Sequence, residues 1–152
     1  MAINVQISQA TIHDLEDLVI IFDQYRAFYQ QPSDLKEARR FLFEKFEHRE
    51  SVIFVAKDYE TKQIIGFAQL YPSFSSITMQ RSWILNDLYV APKHRKLGIA
   101  SSLILAAKEY AIRTQAKGLE LSTANDNASA QKLYEQLGFK RDEDFIHYYL
   151  TL

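Results

Sequence analysis

The chain reads as an α/β domain: one mixed, mostly antiparallel sheet flanked by helices, in the order β-α-α-β-β-β-α-β-α-β. Three observations predict it. Segments with period-two alternation or short apolar runs, such as "INVQIS" and "SVIFVA", interleave with stretches of helical periodicity. Three strand-like segments follow one another between residues 51 and 91, which favours hairpins and antiparallel pairing. A strand, turn, helix and strand then run from Val90 to Thr123, the pattern of a parallel crossover.

Each element follows from its own residues. After "INVQIS", Thr11 is a candidate N-cap, and Leu15, Leu18, Val19, Phe22, Tyr25 and Tyr29 recur at helical spacing. Pro32 breaks that helix, and Ser33 or Asp34 caps a second one through about Glu47. "SVIFVA" and "QIIGFAQLY" form a hairpin around the polar "KDYETK", with Gly66 marking a bulge or a close backbone neighbour. "PSFSSITMQR" reads as a loop and "SWILNDLYVA" as the next strand, ended by Pro92. A helix from about Gly98 to Thr114 stops at Gly118, and "LELST" is a strand. Asn125, Asp126 or Asn127 caps a last helix that closes on Gly138, and "FIHYYLTL" is the final strand.

Composition narrows the function. The length of 152 residues predicts a single domain over the whole chain, and 47% hydrophobic residues suffice for a packed core. The formal charge of −1 argues against a nucleic-acid or acidic-membrane binder. With no cysteine there is no disulfide, thiol nucleophile or thiolate metal site. His13, His48, His94 and His147 lie too far apart for metal-ligand spacing, so no metal is expected. The N-terminus lacks a basic patch followed by an apolar run, and no stretch is long and apolar enough to span a bilayer. A cytoplasmic protein is expected, without membrane or nucleic-acid partners.

One turn stands out. In "YVAPKHRKLGIASS" a strand passes through Pro92 and the basic residues Lys93, His94, Arg95 and Lys96 to Gly98 at a helix start. Helix N-termini present free N–H groups and a positive dipole end, and glycine lets an anion reach the backbone. The residue types fit a phosphate site and a solvated surface loop about equally well; neither the P-loop nor the dinucleotide-fold glycine spacing is present.

"RKLGIA", Arg95 to Ala100, resembles the Q/R-x-x-G-x-G/A motif of the GCN5-related N-acetyltransferases. "LNDLYVAPKHR" resembles that family's fourth strand, and "NDNASAQKLYEQLGF" its downstream segment, with Asn127, Ala130, Tyr134, Gly138 and Phe139 in place. The element order agrees over essentially the whole chain; Ala100 stands where a second glycine is commoner.

The resemblance implies acetyl-CoA as co-substrate and direct transfer to a primary amine. It implies that Arg95 and the backbone of Lys96, Leu97, Gly98, Ile99, Ala100 and Ser101 hold the pyrophosphate of coenzyme A. The backbone of Leu88, Tyr89 and Val90 would pair with the pantetheine arm beside a bulge, and Asn127 would contact that arm. An N–H near Leu88 would polarise the thioester, and Tyr134 would protonate the leaving thiolate. On residue types alone, Tyr134 would be a core tyrosine, Asn127 a helix cap and Asp87 a structural carboxylate.

An alkylamine has a pKa of about 10 and must lose a proton before it attacks. Some relatives use a glutamate on the fourth strand. Here the stretch is Leu85-Asn86-Asp87. Asn86 cannot be a base; Asp87 can take the proton or attract the ammonium. Alternation sends the two to opposite faces unless the strand bulges. "YRAFY" resembles the acceptor side of Hpa2-like and diamine acetyltransferases, which makes Tyr25, Tyr29 and Asn86 the acceptor-binding candidates, with "YPSFSS" a cleft loop. The expected acceptors are a small amine or polyamine, then an amino-acid-like amine, then a protein lysine or N-terminus; a homodimer is among the options. The competing reading is a non-catalytic module that binds acetyl-CoA.

Overall fold

The computed structural model describes residues 4–152; Ile3, first residue of the expected opening strand, lies outside them. The chain clusters into two compact units, Met1–Leu121 and Ser122–Leu152.

The first unit holds a five-stranded sheet in sequence order: β1 (Val5–Gln9), β2 (Val52–Asp58), β3 (Ile64–Ser75), β4 (Gln80–Val90) and β5 (Leu119–Glu120). The first three pairings are antiparallel and β4–β5 is parallel, the mixed sheet that the sequence predicts. Its helices are α1 (Leu15–Phe28), α2 (Leu35–Glu47) and α3 (Ile99–Arg113). Residues 53–56 of β2 and 64–70 of β3 are buried without a break. Strands covered on both faces read as continuous apolar runs, which is why alternation is weak here.

The caps fall where the side chains can make them. The Thr11 hydroxyl accepts from His13 N and the Asp14 carboxylate accepts from Thr11 N, closing a short 3-10 turn that leads into α1. Asp34 caps α2 by accepting from Glu37 N at 3.0 Å. The buried Asp23 carboxylate accepts from Ser33 Oγ at 2.6 Å and Asp34 N at 2.8 Å, and so ties α1 to the start of α2. Phe22 of α1 packs between Phe41 of α2 and Phe67 of β3, with ring centroids 5.8 and 6.0 Å away. On the other face α3 lies close to β3 at Gly66. A Cβ there would meet the Tyr89 carbonyl at 3.1 Å and Leu103 Cδ1 at 3.4 Å. The β2–β3 register also shifts beside Gly66, so both features expected of that glycine are present.

Three local features differ from expectation. The "PSFSS" segment is not a loop: β3 continues through Pro72 to Ser75, pairing with β4 from Gln80 to Ile84. Pro72 is tolerated because β2 stops opposite Leu70, so among the described residues β3 is an edge strand beyond that point. Helix α3 ends at Arg113, within a residue of its expected end, but Gly118 is not what stops it. The Thr114 N–H and hydroxyl both donate to the Tyr110 carbonyl, at 3.0 and 2.9 Å, and Gln115 takes the left-handed conformation at φ 57°. "LELST" contributes only Leu119–Glu120, the two residues that find partners in Trp83 and Ile84.

In the second unit, α4 (Ala128–Gln136) is capped by Asn127 and followed by Gly138 at φ 96°, both as predicted. Residues 145–152 carry no strand. Their apolar pattern suits one, but a strand exists only where a neighbouring backbone supplies the ladder.

Candidate functional site

The strand β4 is one residue longer than its partner requires. Gln69 pairs with Asp87 and Leu70 with Leu85, which leaves Asn86 as an extra residue, a β-bulge. The bulge lets Asn86 and Asp87 face the same space instead of opposite faces. Both line a cavity of about 310 Å³ on the α1–α2 side of the sheet, together with Phe22, Tyr25, Arg26, Glu37, Ala38, Phe41 and Tyr71.

Asp87 is the centre of this cavity's polar network. It is 6% exposed. Its Oδ1 accepts from Tyr25 Oη at 2.7 Å and Asn86 Nδ2 at 3.1 Å; its Oδ2 accepts from Gln69 Nε2 at 2.7 Å. Gln69 is fully buried, and its Oε1 accepts from Ser51 Oγ at 2.8 Å. Every donor to the carboxylate is neutral, and among the described residues no Lys, Arg or His forms an ion pair with it. Burial, then the Asp87 charge and the hydrogen bond to it, push the Tyr25 hydroxyl well above the ordinary tyrosine range. Burial and the same charge act likewise on Tyr71. Both hydroxyls stay protonated at any working pH, so Tyr25 is a fixed donor to Asp87.

Gln69 was not a sequence candidate, although a lone amide in the apolar run "IIGFAQL" marks a buried polar group that needs partners. Replacing it with Leu removes one donor from Asp87 and the acceptor of Ser51. We expect Gln69→Leu to lose roughly 1–3 kcal/mol of unfolding free energy, the usual range for stranding a buried hydrogen-bonding group. Urea denaturation measures this, and an unchanged midpoint would remove Gln69 from the account.

Of the other acceptor-side candidates, Tyr25 lines the cavity, while Tyr29 does not. Tyr29 is 57% exposed and packs its ring against Tyr25 and Phe28, each with centroids 5.2 Å away. Tyr71 is on β3, not in a loop.

The cofactor-side candidates of the first unit lie at the end of β4 and the start of α3. β5 pairs only with Trp83 and Ile84, so among the described residues the β5-side edge of β4 from Leu85 to Val90 has no strand alongside. Beyond it, Lys96 at φ 64° and Gly98 at φ 78° both hold left-handed backbone. Gly98 is the N-cap of α3 and makes no side-chain cap, so the first-turn N–H groups of Ile99, Ala100 and Ser101 get none from it. A Cβ on Gly98 would meet nothing within 4 Å, so the space above this backbone is open. Left-handed turns leading into a helix N-terminus form an anion-binding concavity. Arg95 is already engaged within the protein. Its Nε donates to the Val90 carbonyl at 2.9 Å, and its guanidinium stacks over Phe28 and Tyr89, 5.2 and 5.4 Å from their centroids. In this structure Arg95 braces the turn.

In the second unit, Asn127 accepts from Ala130 N at 3.2 Å as the cap of α4. Tyr134 lies within α4, its ring 5.9 Å from that of Phe139. Among the described residues no cluster of His, Cys, Asp and Glu could hold a metal ion, and no helix is long and apolar enough to cross a membrane.

A mixed sheet with a bulged fourth strand and an uncapped glycine turn into α3 agree with the acyltransferase fold that the sequence implies. The model of the acetyltransferase (GNAT) family matches residues 18–139, and the chain belongs to that family. An uncharacterized N-acetyltransferase of Bacillus subtilis (strain 168), YhfO, is 47% identical over 146 residues, covering 96% of this chain and 97% of that one. A crystal structure of a probable acetyltransferase superposes with a TM-score of 0.93 at 43% identity, over 97% of both chains. AAC(6')-Iy, solved in complex with the bisubstrate analog CoA-S-monomethyl-acetylneamine, shares the fold, with a TM-score of 0.78 at 22% identity over 98% of this chain and 99% of that one.

Proposed function

We propose that this acetyltransferase moves an acetyl group from acetyl-CoA to the primary amine of a small molecule, without a covalent acetyl-enzyme. The observation that carries the reading is Asp87: a carboxylate held by three neutral donors, with no protein cation, on the wall of an aromatic cavity. Such a group suits an ammonium and then its proton. The rings of Tyr25, Phe41 and Tyr71 favour the same charge.

Acetyl-CoA supplies an activated thioester, and the residues present fit it. The turn from Lys96 to Ser101, open above Gly98, suits the pyrophosphate. The free edge of β4 at Leu88, Tyr89 and Val90 suits the amide-bearing pantetheine arm, although Arg95 already claims the Val90 carbonyl. An N–H near Leu88 would polarise the thioester carbonyl. Asp87 receives the amine's proton, directly or through water, and Tyr134 gives one to the departing sulfur. The family motif supports Tyr134 and Asn127 in their roles.

Thiol release from acetyl-CoA across a panel of amines tests the reading; release with none of them would overturn it. Within that assay, Tyr134→Phe should lower kcat about a hundredfold, the usual range for lost general-acid catalysis, while acetyl-CoA affinity holds. An unchanged kcat in single-turnover conditions would return Tyr134 to a packing role.

A further inference from the structure

Two opposite charges in the acceptor cavity lack a carboxylate or ammonium partner of their own. One is Asp87. The other is Arg26, a partly exposed residue of α1 that lines the same cavity. Arg26 Nη1 donates to the Pro32 carbonyl at 3.2 Å, which fixes the side chain without giving it a bonded carboxylate. Among the described residues it forms no ion pair. The cavity's other acid, Glu37, is the obvious candidate to neutralise it, yet Glu37 is engaged elsewhere. Both Nε and Nη2 of Arg40 donate to Glu37 Oε1. That hydrogen bond, more than the Arg26 charge, holds the Glu37 carboxyl below the ordinary range.

The cavity therefore presents a carboxylate buried against the sheet, a guanidinium on α1, and aromatic walls of Phe22, Tyr25 and Phe41. A volume of about 310 Å³ leaves room for a group of single-amino-acid size. A polyamine would satisfy Asp87 and put a second ammonium into a space that holds Arg26. A molecule with an ammonium at one end and a carboxylate at the other satisfies both charges.

We infer that the acceptor is an amino carboxylate of single-amino-acid size, its amine at Asp87 and its carboxylate on the guanidinium of Arg26. This rests on the acceptor cavity proposed above. Arg26 is then a specificity residue that selects within small amines, and it selects against the diamines that the sequence favours. A guanidinium presents a planar fork of donors that matches a carboxylate, which a lysine ammonium reproduces only in charge.

The experiment compares 6-aminohexanoate, 1-hexylamine and 1,5-diaminopentane with the full chain. Binding is read by calorimetry in the presence of CoA, and turnover by thiol release from acetyl-CoA. We expect 6-aminohexanoate to bind and react at least tenfold better than 1-hexylamine, which lacks only the carboxylate group. Arg26→Gln should bring that ratio close to one, and Arg26→Lys should retain part of it. A parent ratio at or below one, a preference for 1,5-diaminopentane, or an unchanged ratio in Arg26→Gln overturns the inference. Thermal melts of both variants establish that they fold. The binding arm keeps the two readings apart. Turnover that favours the diamine sinks the amino-carboxylate inference alone, whereas selective binding with no turnover of any amine sinks the proposed reaction.

Discussion

In the Asp87→Asn variant, kcat/KM for the amine is expected to fall about a hundredfold, with the dissociation constant for acetyl-CoA unchanged. The magnitude is that of a lost general base. The fold should survive, because the network can turn itself around. The new amide oxygen still accepts from Tyr25, and its NH2 would face the NH2 of Gln69. Gln69 relieves that clash by rotating its own amide, which then donates to Ser51, whose hydroxyl serves as donor or acceptor. The kinetic constants separate two roles for the carboxylate. Under either role the deficit narrows toward alkaline pH, as more of an amine with a pKa of about 10 is already free and less ammonium remains. If Asp87 takes the proton, the deficit lies in kcat; if it only recruits the ammonium, the deficit lies in KM with kcat kept. Normal kinetics at every pH would move the base to an ordered water or another cavity residue.

The second large effect concerns Gly98→Glu. Acetyl-CoA at a hundred times its dissociation constant should stabilise the parent by about 2.7 kcal/mol, since it binds only the native state. The variant should show no such rise in melting temperature, because the glutamate puts a negative charge where the pyrophosphate would lie. The substitution also strains the backbone, as Gly98 sits at φ 78°. Gly98→Ala shares that strain without the charge, and the open space above residue 98 accommodates its methyl group. Both variants should melt below the parent, and only the alanine variant should still respond to ligand. An acetyl-CoA shift of parental size in Gly98→Glu would locate the cofactor elsewhere.

Much of this fold is written in short-range patterns. The caps at Thr11, Asp34 and Asn127 and the left-handed Gly138 each depend on residues within four positions, and each appears where the sequence puts it. The boundaries that shifted depend on distant partners. Pro72 looks like a strand-breaker until β2 is seen to end opposite Leu70. "LELST" looks like a full strand until only Trp83 and Ile84 are found to pair with it. The site divides the same way. Gly98 and Asp87 became candidates through the resemblance, one by its motif and the other by its place on the fourth strand. The Asn86 bulge was expected on the same ground alone, since "LNDLYV" holds neither Gly nor Pro and the register is set across the sheet. Gln69 and Arg26 needed the structure, because what distinguishes each is the set of groups around it.

The extra residue in β4 shifts the strand by half a period. Before it, odd-numbered residues point toward α3: Trp83 lies 5.3 Å from the Tyr110 ring and donates to Thr114. After it, odd-numbered residues point toward α1: Asp87 accepts from Tyr25, and Tyr89 lies 5.8 Å from the same ring. Both faces of the sheet are apolar, so the hydrophobic pattern does not record the change of phase. Asp87 thus owes its side of the sheet to a count of residues. Any side chain at position 86 preserves that count. Removing one residue between Leu85 and Asp87 would restore strict alternation, and the two could no longer face opposite ways: either the carboxylate turns into the packing under α3, or Leu85 and Trp83 turn out of it. The site is encoded in the length of this strand as much as in its letters.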